Sequence, residues 1–244
     1  MKLKKFYQEV NSKKIKYFFK SEDTYKLIKA NLSNNKNYGN ILDLGCGDLS
    51  NFKFLKSLKF NRYVAVDWIT PPKKLLNDKR INFIKSDIKK FKTKEKFNLI
   101  LLVGTIEHFE NPKLLLKKIK KFMSKDSLLI ISHPNYYNIR GIILLTCKFL
   151  YNAKVSLSDV KYFYPEEVKE ALHKIGFSRV KVQTIRKEDN SDINFLDLKQ
   201  RLPKVLGKSK IKNINNFLKK YHLMKKYLKS DHLGGQCVIL YAKK

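Results

Sequence analysis

The 244 residues carry 53 Lys or Arg against 21 Asp or Glu, a formal charge of +32, with 43% hydrophobic and 12% aromatic residues. That apolar content supports a packed core and excludes wholesale disorder, and the length suits one large domain with or without inserts. The charge invites a nucleic-acid or anionic-membrane reading, yet only six of the basic residues are Arg, whose guanidinium fork is the usual reader of phosphates and bases.

Twenty Asn beside five Ala and nine Gly are the signature of AT-rich codons, which account for part of the lysine excess. Cys46, Cys147 and Cys237 are odd in number and form no CxxC pair, against a disulfide framework or zinc knuckle and for a reducing compartment. The start, MKLKKFYQEV, has no apolar run, and the apolar stretch Ile139–Leu150 is interrupted by Arg140 and Lys148 and is too short to span a bilayer. The expectation is a cytoplasmic chain, at most peripheral to a membrane.

Residues 1–37 read as a Lys-rich helical segment, with Ile15, Phe18, Phe19, Tyr25, Leu27, Ile28 and Leu32 at helical spacing, and residues 34–39 break it. From residue 38 the remainder reads as one domain to residue 244. Short apolar runs recur at Ile41–Leu44, Tyr63–Val66, Ile81–Ile84, Phe97–Val103 and Leu128–Ile131, separated by segments of helical spacing. That alternation predicts an α/β fold with a mainly parallel sheet, and runs apolar at every position predict strands buried on both faces.

After Pro134 the alternation stops for a Tyr-rich insert, 135–164, which leaves the carboxyl end of the sheet and is expected to shape an acceptor pocket. A helix then opens at Pro165-Glu-Glu and stops at Gly176, followed by a strand near Ser178–Ile185. A second insert, 187–232, has helical spacing through Ile211, Ile214, Phe217, Leu218, Tyr221, Met224 and Leu228. Its lysines fit a solvated face, a cap over a substrate pocket, or a basic amphipathic membrane contact. A last strand spans Cys237–Tyr241.

The chemistry sits in Ile41-Leu-Asp-Leu-Gly-Cys-Gly-Asp48. A strand that turns sharply into a helix while its backbone approaches a ligand needs glycine, and the helix start offers free N–H groups to it. A nicotinamide dinucleotide would want GxGxxG, but the third position here is Ser50. Asp43 suits a cationic amino group such as that of S-adenosylmethionine. Asp67, 22 residues after Gly45, is placed to accept from ribose hydroxyls. Trp68 offers a flat face for adenine, and Asp87 with Ile88 could bind its amino group and pack on its ring.

As a set, ILDLGCG, VAVDW, SDI, LILLVGTIEHFENP and LLIISHPN resemble the class I S-adenosylmethionine-dependent methyltransferases. The downstream pattern, His133-Pro-Asn135 with Tyr162-Phe-Tyr-Pro-Glu-Glu-Val and Ile175-Gly-Phe177, is similar to methyltransferases of surface-polysaccharide and lipid-linked sugar pathways. The resemblance implies a Rossmann-like sheet of seven strands, the last antiparallel, with helices on both faces and helical inserts after strands five and six. It implies that Asp43, Gly45 and Gly47 surround the methionine moiety, Asp67 the ribose, Asp87 and Ile88 the adenine, and that Gly104 lies near the sulfonium. Leu49 departs from it, standing where many members carry another glycine, and Asn98 replaces the usual Asp early in strand four.

His108 and His133, both near carboxyl ends of strands, are the candidate general bases, with structural hydrogen bonding as the alternative for each. No His, Asp or Glu cluster has metal-ligand spacing in the sequence. The expected activity is methylation of an oxygen or nitrogen on a small-molecule or lipid- or sugar-linked acceptor. The competing readings are an RNA or protein methyltransferase using the basic surface, and a non-catalytic binding module of the same fold.

Overall fold

The computed structural model describes residues 21–156, 159–185, 190–224 and 237–244. In chain order the elements are α1 (Ser21–Ala30), β1 (Asn40–Leu44), α2 (Ser50–Leu55), β2 (Arg62–Asp67), β3 (Ile81–Lys85), β4 (Phe97–Val103), α3 (Pro112–Phe122), β5 (Met123–Pro134), α4 (Ile139–Tyr151), α5 (Pro165–Lys174), β6 (Ser178–Thr184), α6 (Asn190–Leu206), α7 (Ile211–Met224) and β7 (Cys237–Lys243). The strands form one sheet in the order β3-β2-β1-β4-β5-β7-β6. β1 to β5 run parallel, and β7 is antiparallel to both β5 and β6.

Side-chain alternation divides the strand residues between two apolar layers. Leu42, Leu44, Val64, Val66, Ile100, Leu102, Leu129 and Ile131 face α3 and α5, which contribute Leu115, Ile119, Val168 and Leu172. Ile41, Tyr63, Ala65, Leu99, Leu101 and Ile130 face α1 and α2, which contribute Ile28, Phe52 and Leu55. Helices on both faces explain strands that are apolar at every position. Helix ends follow local chemistry. Asn111 caps α3 by accepting from the Leu114 N–H at 3.0 Å with Pro112 next to it, and α5 starts on Pro165. The turn after α5 closes at Gly176 with φ +84°, where the Lys120 ammonium from α3 donates to the carbonyls of Ile175 and Gly176.

One expectation changes. The amino-terminal helix ends at Ala30 rather than near residue 37. Beyond it, Asn31, Ser33 and Asn37 side chains bond neighbouring backbone groups (Asn31 to Leu27 O, Ser33 to Asn35 N, Asn37 to Gly39 N), which replaces helical bonding with turns. Ile15, Phe18 and Phe19, residues 187–189 and residues 225–232 lie outside the described residues. The second insert holds two described helices, α6 and α7.

The inserts pack on each other. Leu144 and Cys147 of α4, Leu198 and Leu202 of α6, and Ile214, Leu218 and Tyr221 of α7 form a satellite apolar cluster. Beside it lies a buried ionic knot: Arg140 of α4 and Arg201 of α6 both bond the carboxylate of Asp197, at 3.3 and 3.0 Å. Arg140 also donates to Asn135 O and Arg201 to Val155 O, so the knot ties α6 to the chain on both sides of α4. No helix among the described residues is long and apolar enough to cross a membrane.

Removing the shared carboxylate leaves two guanidinium groups facing each other with little solvent. Asp197→Ala should therefore lower unfolding free energy by about 3 kcal/mol, the scale for breaking a buried pair. Urea unfolding of the variant checks this; a loss near zero would show the knot to be without consequence.

Candidate active site

The carboxyl ends of β1, β2, β4 and β5 meet at one edge of the sheet, where open parallel sheets hold their ligands. At that edge β1 breaks into the glycine turn. Gly45 has φ +80°, its N–H donates to Val66 O at 2.8 Å, and a Cβ there would collide with the Thr105 side chain. Gly47, at φ +52°, is different: a Cβ on it would meet nothing within 4 Å, so this side of the turn is open. Leu49 sits at φ 62°, ψ 28° and is wholly buried. The left-handed backbone explains why glycine is usual at that position, and burial of the leucine side chain offsets the strain.

Asp43 lies directly beneath. Its carboxylate has no exposed surface and accepts from the Tyr63 hydroxyl at 2.5 Å and the Asn51 amide at 3.0 and 3.2 Å. Burial pushes its carboxyl up to about 7, against the opposing effect of those two donors. The sequence placed Asp43 beside a methionine group; the structure places it under the turn, where it joins β1, β2 and α2 and shows no surface to a ligand.

Asp67 ends β2, and its two oxygens accept from the N–H groups of Gly47 and Ile69, each at 2.9 Å. The carboxylate thus fixes the open side of the turn and keeps a further lone pair on each oxygen. Burial raises its pKa, opposed by those N–H donors. Trp68 follows, half-buried. Asp87 lies past β3 and accepts from the Lys89 N–H at 2.7 Å, closing a turn that also positions the half-buried Ile88. Gly104 ends β4 at φ +60°, held by its N–H to Ser132 O at 3.0 Å. A Cβ on it would come to 3.8 Å from Glu107 Oε1 and otherwise find open space.

Glu107 and His108 lie on the short 3₁₀ turn Ile106–His108 after Gly104. The Glu107 carbonyl accepts from the N–H groups of Val160 and Lys161, which folds the first insert back over this turn. Asp159 thereby comes to 3.7 Å from His108 Nδ1 and accepts from the Tyr136 hydroxyl at 3.0 Å. One ligand atom from each of Glu107, His108 and Asp159 lies within 4.8 Å of the others. Glu107 is buried, its Oε2 has no hydrogen-bond partner, and burial with the nearby Asp159 holds its carboxyl well above the ordinary value. Asp159 escaped the sequence reading because it joins the cluster only through the fold of the insert; His108 was the visible part.

His133 is placed elsewhere. It has the same parity on β5 as Leu129 and Ile131, so it points into the layer under α5 and meets Phe163 edge-to-face at 5.3 Å. It has no exposed surface, burial lowers its pKa to about 4, and its Nδ1 bonds Pro134 O at 2.9 Å, which corrects its reading as a general base in favour of the structural alternative. Alternation along the strand was the signal that could have shown this.

A doubly covered, mostly parallel sheet with its last strand reversed, ending in a glycine turn followed by an acid on the next strand, defines a Rossmann-like nucleotide-cofactor enzyme. Residues 5–182 match a family model described as "Methyltransferase domain", and the chain belongs to this family. It is 35% identical over 102 residues to (S)-coclaurine N-methyltransferase of Papaver somniferum and 30% identical over 104 residues to (S)-tetrahydroprotoberberine N-methyltransferase of Eschscholzia californica. Those matches cover 38% and 39% of this chain and span 29% and 30% of the relatives' own length. In fold it is similar to a SAM-dependent methyltransferase and possible histamine N-methyltransferase of Thermotoga maritima, with TM-score 0.62, 17% identity and full coverage of both chains.

The Asp43 anchor has a pH signature. The folded carboxyl holds its proton up to about 7 whereas the unfolded one releases it near 3.8, so the folded state carries the extra proton between these values. This contribution to stability is complete below the lower value and is lost as the pH rises through the window. Asp43→Asn should therefore lose less stability than the parent chain between those two pH values. Paired urea titrations check this, and parallel curves would contradict the buried assignment.

Proposed function

We propose that the chain methylates an amine nitrogen and that the acceptor is bound at the Glu107–His108–Asp159 cluster. The carrying observation is the buried Glu107 carboxyl, whose Oε1 borders the open face of Gly104 and whose Oε2 has no hydrogen-bond partner. A buried oxygen without a donor is unstable by itself and suits a ligand that brings an N–H or a positive charge. The alkaloid relatives named as N-methyltransferases support a nitrogen over an oxygen. The amine is carried on a small molecule, or on a sugar or lipid as the downstream resemblance suggests.

The cofactor's place follows from the open side of the turn. The free space before Gly47 and the fixed Asp67 carboxylate fit an adenosyl group, with Asp67 accepting from the ribose hydroxyls. Trp68 and Ile88 would flank the adenine, and the second oxygen of Asp87 is available to its amino group. Gly45 and Gly47 bring backbone close to the methionine part, and Gly104 does so at the sulfonium. Bound S-adenosylmethionine supplies an electrophilic methyl group.

The chain's own residues must then align the nitrogen and manage one proton. Alignment alone carries much of the acceleration of an in-line displacement. An amine that arrives protonated has no lone pair, and His108, 3.7 Å from Asp159, is the side chain of the cluster placed to accept that proton. Glu107, whose burial favours the protonated form of its carboxyl, holds the nitrogen by hydrogen bonding.

Two outcomes test this. Asp67→Ala should weaken S-adenosylhomocysteine binding by about 1–3 kcal/mol in calorimetry, and an unchanged dissociation constant would remove the ribose assignment. Glu107→Gln should lower kcat on an amine acceptor by about 100-fold while S-adenosylhomocysteine affinity stays the same. In a panel of matched amines and alcohols assayed by S-adenosylhomocysteine release, alcohols turning over faster than amines would overturn the nitrogen reading. Salt-sensitive RNA binding together with RNA methylation would instead favour the nucleic-acid alternative.

A further inference from the structure

Helix α4 is apolar on both sides. Its inner side, Leu144 and Cys147, lies in the satellite cluster with α6 and α7. Its outer side carries Ile142 and Phe149, two turns apart and therefore in line, and at its end Leu150 and Tyr151; the last three are 73%, 74% and 71% exposed. α7, packed on the same cluster, also exposes Phe217, Leu223 and Met224. Large side chains gathered in this way on a surface mark a contact.

Charge identifies the occupant. The sequence has no Asp or Glu from Ser127 to Ser158, nor from Leu198 to Met224. Lys154 is exposed just past α4, and Lys212, Lys219 and Lys220 are exposed on α7. Lys148, half-buried, holds its ammonium over the Tyr162 ring at 5.3 Å. Aromatic and aliphatic side chains flanked by lysines without acids are the composition of an interfacial helix that enters the headgroup region of an anionic bilayer. A second copy of the chain is disfavoured as the partner, because it would bring +32 against +32.

We propose that the outer face of α4 docks the enzyme on an anionic lipid surface, with Phe149, Leu150 and Tyr151 inserted and the neighbouring lysines among the headgroups. Four residues separate the end of β5 at Pro134 from the start of α4, so docking sets the carboxyl edge of the sheet close to the lipid. Only the corollary that the acceptor amine is lipid-borne rests on the function proposed above.

The test is co-sedimentation of the full chain with vesicles of phosphatidylglycerol and phosphatidylcholine, and with phosphatidylcholine alone. The parent chain should pellet with the mixed vesicles and much less with the neutral ones. The double variant Phe149→Ser, Leu150→Ser should reduce partitioning about tenfold or more, since both side chains leave the interface. S-adenosylhomocysteine binding by the variant should be unchanged, which shows that it folds. Failure of the parent chain to pellet, equal pelleting of the variant, or a dimer in gel filtration that the variant dissolves would overturn the proposal. None of these readouts involves methyl transfer, so they stand apart from the test of the nitrogen reading.

Discussion

The carboxylate of Asp43 is the constraint on which the site depends. Held by Tyr63 from β2 and Asn51 from α2, it fixes the strand before the glycine turn, its neighbour strand and the helix after it in one arrangement. A buried carboxylate is stable only with such donors, so the three elements cannot separate without exposing an expensive group. The turn above it is then free to take backbone conformations that no other part of the sheet demands. Gly45 is squeezed against Thr105, Gly47 faces open space, and Leu49 holds a left-handed conformation because its side chain is locked in the core. The rigidity comes from below, and the open surface above is left for the ligand.

The same division between support and contact separates the acids of the motif. Asp43 and Asp67 look alike in the sequence, each at or near the end of an apolar run. Asp43 points down and is fully used by protein donors, whereas Asp67 borders the opening and binds the turn through backbone N–H groups. A strand-end acid can thus serve a site without touching its ligand, and only the direction of the side chain distinguishes the two roles.

That distinction shows how far the sequence was legible. The strands could be read because both faces of the sheet are covered, which makes each one apolar throughout. The order of glycines and acids pointed to one edge of the sheet because consecutive parallel strands end there. His108 and His133 could not be separated by their nearness to strand ends; one follows a turn out of the sheet while the other still alternates within it. The acceptor side was hidden for a different reason. Asp159 reaches His108, and Asp197 reaches Arg140, through the folding of inserts, and no local spacing encodes contacts of that range.

The electrostatics of the edge are opposite to those of the whole chain. With a net charge of +32, a cationic donor and a protonated amine would both be repelled by the average surface. Yet Asp43, Asp48, Asp67, Asp87, Glu107 and Asp159 all lie on or just past the carboxyl ends of the strands or on the insert folded over them. Burial raises the carboxyls of Asp43, Asp67 and Glu107 above the ordinary value, so they act over a few ångströms through hydrogen bonds, which distant, solvent-screened lysines do not oppose. The lysines therefore need not oppose the chemistry. On the docking proposal, those on α4 and α7 meet an anionic surface while the acids at the edge of the sheet receive the ligands.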